Sequence, residues 1–105
     1  MAIIYLDDKT LEGEIKNSKK LLVDFYADWC GPCKRMSPIF EEVSNDYSGI
    51  VFAKLDVDSN PLSSSKYGIR SIPSLLYFED GKLKDTNIGS LGKSELVAKI
   101  EKLLR

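Results

Sequence analysis

Ala27-Asp28-Trp29-Cys30-Gly31-Pro32-Cys33-Lys34 contains both cysteines of the chain, with two residues between them. Ahead of it, Leu21-Leu22-Val23-Asp24-Phe25-Tyr26-Ala27 is almost continuously apolar and reads as a strand buried on both faces. Behind it, Met36, Ile39, Phe40, Val43 and Tyr47 recur with the helical period, which predicts a helix with one apolar face. The pair therefore falls at a strand-to-helix junction, with Cys30 near the helix N-terminus and Cys33 one turn further in. Unpaired backbone N–H groups and the helix dipole favour negative charge at Cys30, so a thiolate is stabilised there. The expectation is an exposed nucleophile at Cys30, a shielded resolving thiol at Cys33, and dithiol–disulfide exchange between them.

Other uses of a cysteine pair fit less well. A structural zinc ion takes about four ligands, and this chain has two cysteines and no histidine, so no metal site is expected. In the chain-entropy account a structural disulfide stabilises more as its loop lengthens, and this ring is very short. Inert burial is ordinary for a lone cysteine, but not for a pair enclosing Gly31-Pro32 at a helix start. CxxC in a βα context is the pattern associated with redox chemistry.

Working outward, residues 2–6 form a short apolar run, read as the first strand. Asp7, Asp8 and Thr10 offer helix caps ahead of Leu11 and Ile15, which share one helical face. Pro38 sits inside the helix after the cysteines and should kink it. Residues 50–57 read as a further strand, with Lys54 in its middle. Asn60-Pro61 marks a helix start and Gly68 its stop. Residues 74–78 form a fourth strand after Ile72-Pro73, and Asp80-Gly81 is a hairpin turn into residues 82–88, polar enough for a sheet edge. Leu96, Val97, Ile100, Leu103 and Leu104 line a last helix from about Lys93. The order β-α-β-α-β-α-β-β-α implies a mixed sheet with helices on both faces.

The chain's 105 residues suffice for a single domain, 1–105, with its own core. A net charge of −1 and the lack of a basic block argue against nucleic acid or a membrane surface as partner. MAIIYLDDKT has no secretory pattern, and no stretch approaches the roughly 20 apolar residues that span a bilayer. A reducing, cytoplasmic setting follows as the default, where CxxC is more often catalytic than structural. Proton transfer for Cys33 falls to a carboxylate, a lysine or water, since histidine is absent. Asp24, the one charge in its strand, is the candidate, because burial would raise its pKa toward neutrality. Lys54 is either its neighbour on the next strand or a surface lysine.

VDFYADWCGPCK resembles the active-site signature of the thioredoxin family, and the resemblance continues through KLDVDSNP, KYGIRSIPSLLYF, DGK and NIGSLGKSEL. It covers nearly the whole chain, and the WCGPC core with Gly31-Pro32 is the form typical of thioredoxin. Two positions depart from the pattern: Tyr26 stands where many thioredoxins have tryptophan, and Ser71 where some have glycine. The resemblance implies the thioredoxin fold, an α/β architecture with a central mixed five-stranded sheet flanked by four helices. It implies a cis Pro73 facing the cysteines, although X–Pro bonds in folded proteins are cis in only about 5–6% of cases. It also implies a substrate surface of Trp29, Gly31 and Pro32 on one side, with Ile72 and Gly89 opposite, where the bare Ile72 backbone could pair with an extended segment.

The implied activity is reduction of protein disulfides, an electron-transport role in cell redox homeostasis. No cofactor is expected beyond a reversible Cys30–Cys33 disulfide. The implied partners are a thioredoxin reductase and disulfide-containing target proteins, met by a monomer. Two alternatives stay open at this point, a disulfide oxidase or isomerase and a redox-independent binding subunit. A potential near about −270 mV marks a reductant, and one of about −120 to −180 mV an oxidant or isomerase.

Overall fold

The structure, a computed structural model, describes residues 3–104. Its elements follow the expected order: β1 (Ile4–Leu6), α1 (Leu11–Asn17), β2 (Lys20–Tyr26), α2 (Gly31–Ser44), β3 (Val51–Asp56), α3 (Pro61–Lys66), β4 (Ser74–Glu79), β5 (Lys82–Ile88) and α4 (Lys93–Leu103). Ala2, which the sequence reading placed in the first strand, lies outside the described residues. The strands form one sheet in the order β1-β3-β2-β4-β5, with β2 parallel to β3 and antiparallel to β4. β2 is therefore central, and residues 21–25 are buried throughout, as an apolar strand covered on both faces requires.

Alternation along β2 divides the core in two. Leu22 joins Met36, Phe40 and Val43 of α2, and Leu96 and Ile100 of α4, on one face of the sheet. Leu21, Val23 and Phe25 join Leu11 and Ile15 of α1 on the other. Asp24 shares the parity of Leu22 and so points to the α2 face. In β3, Lys54 shares the parity of Phe52, which packs on that same face, with its ring against Phe40 at 5.3 Å between centroids.

Three local readings change. Tyr47 is buried but lies beyond α2, because the helix tightens into i→i+3 bonds after Ser44, with the N–H groups of Asn45, Asp46 and Tyr47 on the carbonyls of Glu42, Val43 and Ser44. Asp8 caps α3 rather than α1, accepting from the Ser63 N–H at 2.7 Å and the Leu62 N–H at 3.2 Å. Asn60 does not cap its own helix: its Oδ1 accepts from the Asp8 N–H at 2.9 Å and its Nδ2 donates to the Asp56 carbonyl. The two residues thus tie the start of α3 to the loop after β1. α2 runs unbroken through Pro38. Asp80 and Gly81, at φ 52° and 82°, form the tight hairpin turn expected of Asp-Gly. β5 forms the exposed edge.

Candidate active site

β2 ends at Tyr26, and the chain turns through Ala27, Asp28 and Trp29 into α2. Cys30 is the N-cap of that helix, with extended backbone, and its Sγ accepts a hydrogen bond from the Cys33 N–H at 3.2 Å. Pro32 occupies the first turn, where a missing N–H costs nothing, and no acidic side chain competes for the free N–H groups there. Cys30 and Cys33 form a disulfide, with their Cα atoms 5.3 Å apart.

The expected contrast between an exposed Cys30 and a shielded Cys33 is absent in this oxidised form, since each is only 4% exposed. Cys30 is covered because Tyr26, Val57 and Ile72 pack against the cysteine pair, and its Sγ lies 3.8 Å from the Ile72 carbonyl oxygen. Trp29 is open, at 69% exposed, and its indole N–H donates to Asp58 at 2.8 Å. Asp58 escaped the sequence reading. No local signal marks it: only the parallel register, Tyr26 beside Asp56, sets the two loops after these strands side by side.

The Ile72–Pro73 peptide is cis. Pro73 is buried and Ile72 half-buried beside the cysteines. Gly89 closes the loop: its N–H donates to the Pro73 carbonyl at 2.8 Å, and its φ of +100° is one that side-chain-bearing residues rarely adopt. Among the described residues no hydrogen bond is made by the Ile72 N–H.

Behind the disulfide, Tyr26, Ala27, Asp28, Cys33, Lys34, Ser37 and Lys54 line a cleft of about 130 Å³. Asp24 is fully buried and, among the described residues, neither carboxylate oxygen has a hydrogen-bond partner. Removal from water pushes its carboxyl up to about 7, against a smaller opposing pull from the Lys54 ammonium. Lys54, 6% exposed, is no surface lysine: it stands beside Asp24 in the β2–β3 register. Its Nζ donates to Ser37 Oγ and lies 5.2 Å from the centroid of the Tyr26 ring. Ser37, like Asp58, is a site residue that the linear sequence did not reveal. Among the described residues no cluster of three or more His, Cys, Asp or Glu side chains could hold a metal ion, and no helix is long and apolar enough to cross a membrane.

Sulfurs joined across one helical turn, at the end of a central strand and beside an open tryptophan, suit exchange with another disulfide. Fold and site together define the class of thiol–disulfide oxidoreductases. Over residues 2–102 the chain matches the Thioredoxin family. A thioredoxin of Acidithiobacillus ferridurans is 45% identical over 105 residues, spanning 98% of this chain and 97% of its own length. One from Mycoplasmoides gallisepticum is 51% identical over 86 residues, 82% of this chain and 86% of its own. One from Pseudomonas aeruginosa is 42% identical over 98 residues, 91% of each. The chain belongs to the thioredoxin family, and its activity is that of a thiol–disulfide oxidoreductase reducing protein disulfides.

Proposed function

We propose that Cys30 attacks and Cys33 resolves. The Cys30 thiolate displaces one sulfur of a target disulfide, so that a Cys30–target bond forms and the target's own S–S bond breaks. The released target thiolate takes up a proton. Cys33, losing its proton to Asp24, then attacks Cys30 Sγ; the second target sulfur leaves as a thiolate and the Cys30–Cys33 disulfide remains. Two electrons pass to the target, and a thioredoxin reductase returns them. The observation that carries this reading is the Cys33 N–H directed onto Cys30 Sγ at the open end of α2, a position that favours negative charge on that sulfur.

In this reading Trp29, Gly31 and Pro32 form one bank of the target surface, with Ile72, Pro73 and Gly89 the other. The free Ile72 N–H and its carbonyl beside Cys30 offer a short strand-like edge to an extended target segment. Lys54 assists Asp24 electrostatically. The protein works as one domain and a monomer in the cytoplasm, with no cofactor beyond its own cysteine pair.

Insulin-disulfide reduction coupled to thioredoxin reductase tests the assignment. Cys30→Ser should abolish turnover, whereas Cys33→Ser should accumulate a covalent mixed disulfide with the target. Alkylation of the reduced protein should label Cys30 first. Turnover by Cys30→Ser, or labelling of Cys33 ahead of Cys30, would reverse the roles.

A further inference from the structure

Asp24 and Lys54 are aligned neighbours on adjacent parallel strands, both buried and both on the face covered by α2. Opposite charges so placed would be expected to meet, yet among the described residues neither Asp24 oxygen has a hydrogen-bond partner. The ammonium is instead drawn toward α2, where Ser37 Oγ accepts its proton and the Tyr26 ring lies beneath it. Ser37 stands one helical turn after Cys33, and both line the cleft behind the disulfide. We propose that Ser37 is a positioning residue: its hydroxyl, with the face of Tyr26, holds the Lys54 ammonium in that cleft and keeps it from closing an ion pair with Asp24.

The consequence follows from ordinary electrostatics. A carboxylate joined directly to an ammonium is held ionised, and a group that stays ionised through neutral pH cannot accept, hold and return a proton there. With Lys54 parked on Ser37, burial dominates at Asp24 and the carboxyl titrates close to neutrality. The other charged or titratable groups around the two are few. Asp28 and Lys34 line the same cleft. Tyr5 of β1 stands beside Lys54 on its far side, and Asp56 ends β3. From β4 the residue opposite Asp24 is Leu75, which brings no charge. Lys54 is thus the cation best placed to set the Asp24 proton affinity, and Ser37 is the hydroxyl that its ammonium contacts.

The test is a carboxyl titration of Asp24, followed by ¹³C NMR in the oxidised protein and assigned with Asp24→Asn. In Ser37→Ala the freed ammonium should turn to Asp24, and the midpoint should fall by about one pH unit or more, as an opposite charge within ~4–6 Å demands. Ser37→Thr should restore the wild-type midpoint. In a Lys54→Met background Ser37→Ala should have no effect. An unchanged or raised midpoint in Ser37→Ala, or a fall that persists without Lys54, would overturn the proposal. Its catalytic meaning rests on Asp24 being the acid–base group, and the rate of mixed-disulfide resolution between pH 5 and 9 reads that separately. If the titration moves and the rate profile does not, Ser37 positions Lys54 as proposed and Asp24 is removed from the chemistry.

Discussion

Among the described residues, Asp85–Lys99 and Asp24–Lys54 each set the lysine over a tyrosine ring, and the outcomes are opposite. Asp85 of β5 and Lys99 of α4 are joined at 2.8 Å, with side chains 41% and 31% exposed and the ammonium 5.8 Å from the Tyr77 centroid. Asp24 and Lys54 are neighbours in the sheet, with the ammonium 5.2 Å from the Tyr26 centroid, and they do not bond. The hydrogen bond from Lys99 holds the Asp85 carboxyl below the usual carboxylate range. Burial holds Asp24 far above it, at about 7. Closeness of opposite charges does not decide the state of a carboxyl. Access to water and the direction of the hydrogen bonds decide it.

The largest expected effect comes from removing the charge of the buried pair. The gap between about 7 in the folded protein and ~3.9 in the unfolded chain corresponds to on the order of 4 kcal/mol. Because the folded-state value is raised, the unfolded chain releases its proton first as pH climbs. The penalty is absent below pH ~4, grows toward pH 7 and levels off above it. Asp24→Asn should therefore raise stability by up to a few kcal/mol at pH 8 and by little at pH 4, while slowing mixed-disulfide resolution at neutral pH. Urea melts at the two pH values check the first part. Equal gains at both would mean that Asp24 is ionised in the folded protein at pH 4.

A smaller effect lies beneath the other lysine. The Tyr77 ring is fully buried and its hydroxyl has no hydrogen-bond partner among the described residues, an arrangement that costs about 1–3 kcal/mol for a polar group. Tyr77→Phe should raise the thermal midpoint by a few degrees, and a fall would show that the hydroxyl is satisfied in solution. The smallest effect is at the surface pair. Asp85→Asn should cost less than about 1 kcal/mol, and the loss should shrink in high salt, since exposed pairs contribute little and are screened. Its sign with pH is the reverse of that at Asp24: the Asp85 contribution is present above the unfolded value and disappears as pH falls through the depressed folded one. A loss of several kcal/mol would break the contrast between the two pairs.

Much of this was legible along the chain. The apolar run of β2, the stripe from Met36 to Val43, the Asp80-Gly81 turn and the polar β5 are local patterns, and each became the element that it suggested. Local patterns lose force at their ends, which is why Tyr47 read as helical although α2 stops at Ser44. They also say nothing of partners distant in sequence. Asp8 reaches Ser63, Trp29 reaches Asp58 and Lys54 reaches Ser37, contacts that depend on which strands become neighbours. Asp24 was conspicuous because a charge inside an apolar run is an anomaly. Ser37 and Asp58 are ordinary polar residues in ordinary polar surroundings until the sheet order is known. The covering of Cys30 in the oxidised form was invisible for the same reason, since the Ile72 carbonyl beside it lies forty-two residues away.

The central place of β2 has a consequence for motion. Its backbone is paired on both sides, to β3 and β4, and its side chains are buried above and below. Amides in such a strand belong among the last to exchange with solvent deuterium, opening only when the whole sheet does. Asp24 hangs from that least yielding stretch, so its proton cannot wait for local fraying. In the proposed exchange, a proton reaches or leaves that carboxyl by side-chain motion, at the pace of rotamers rather than of unfolding.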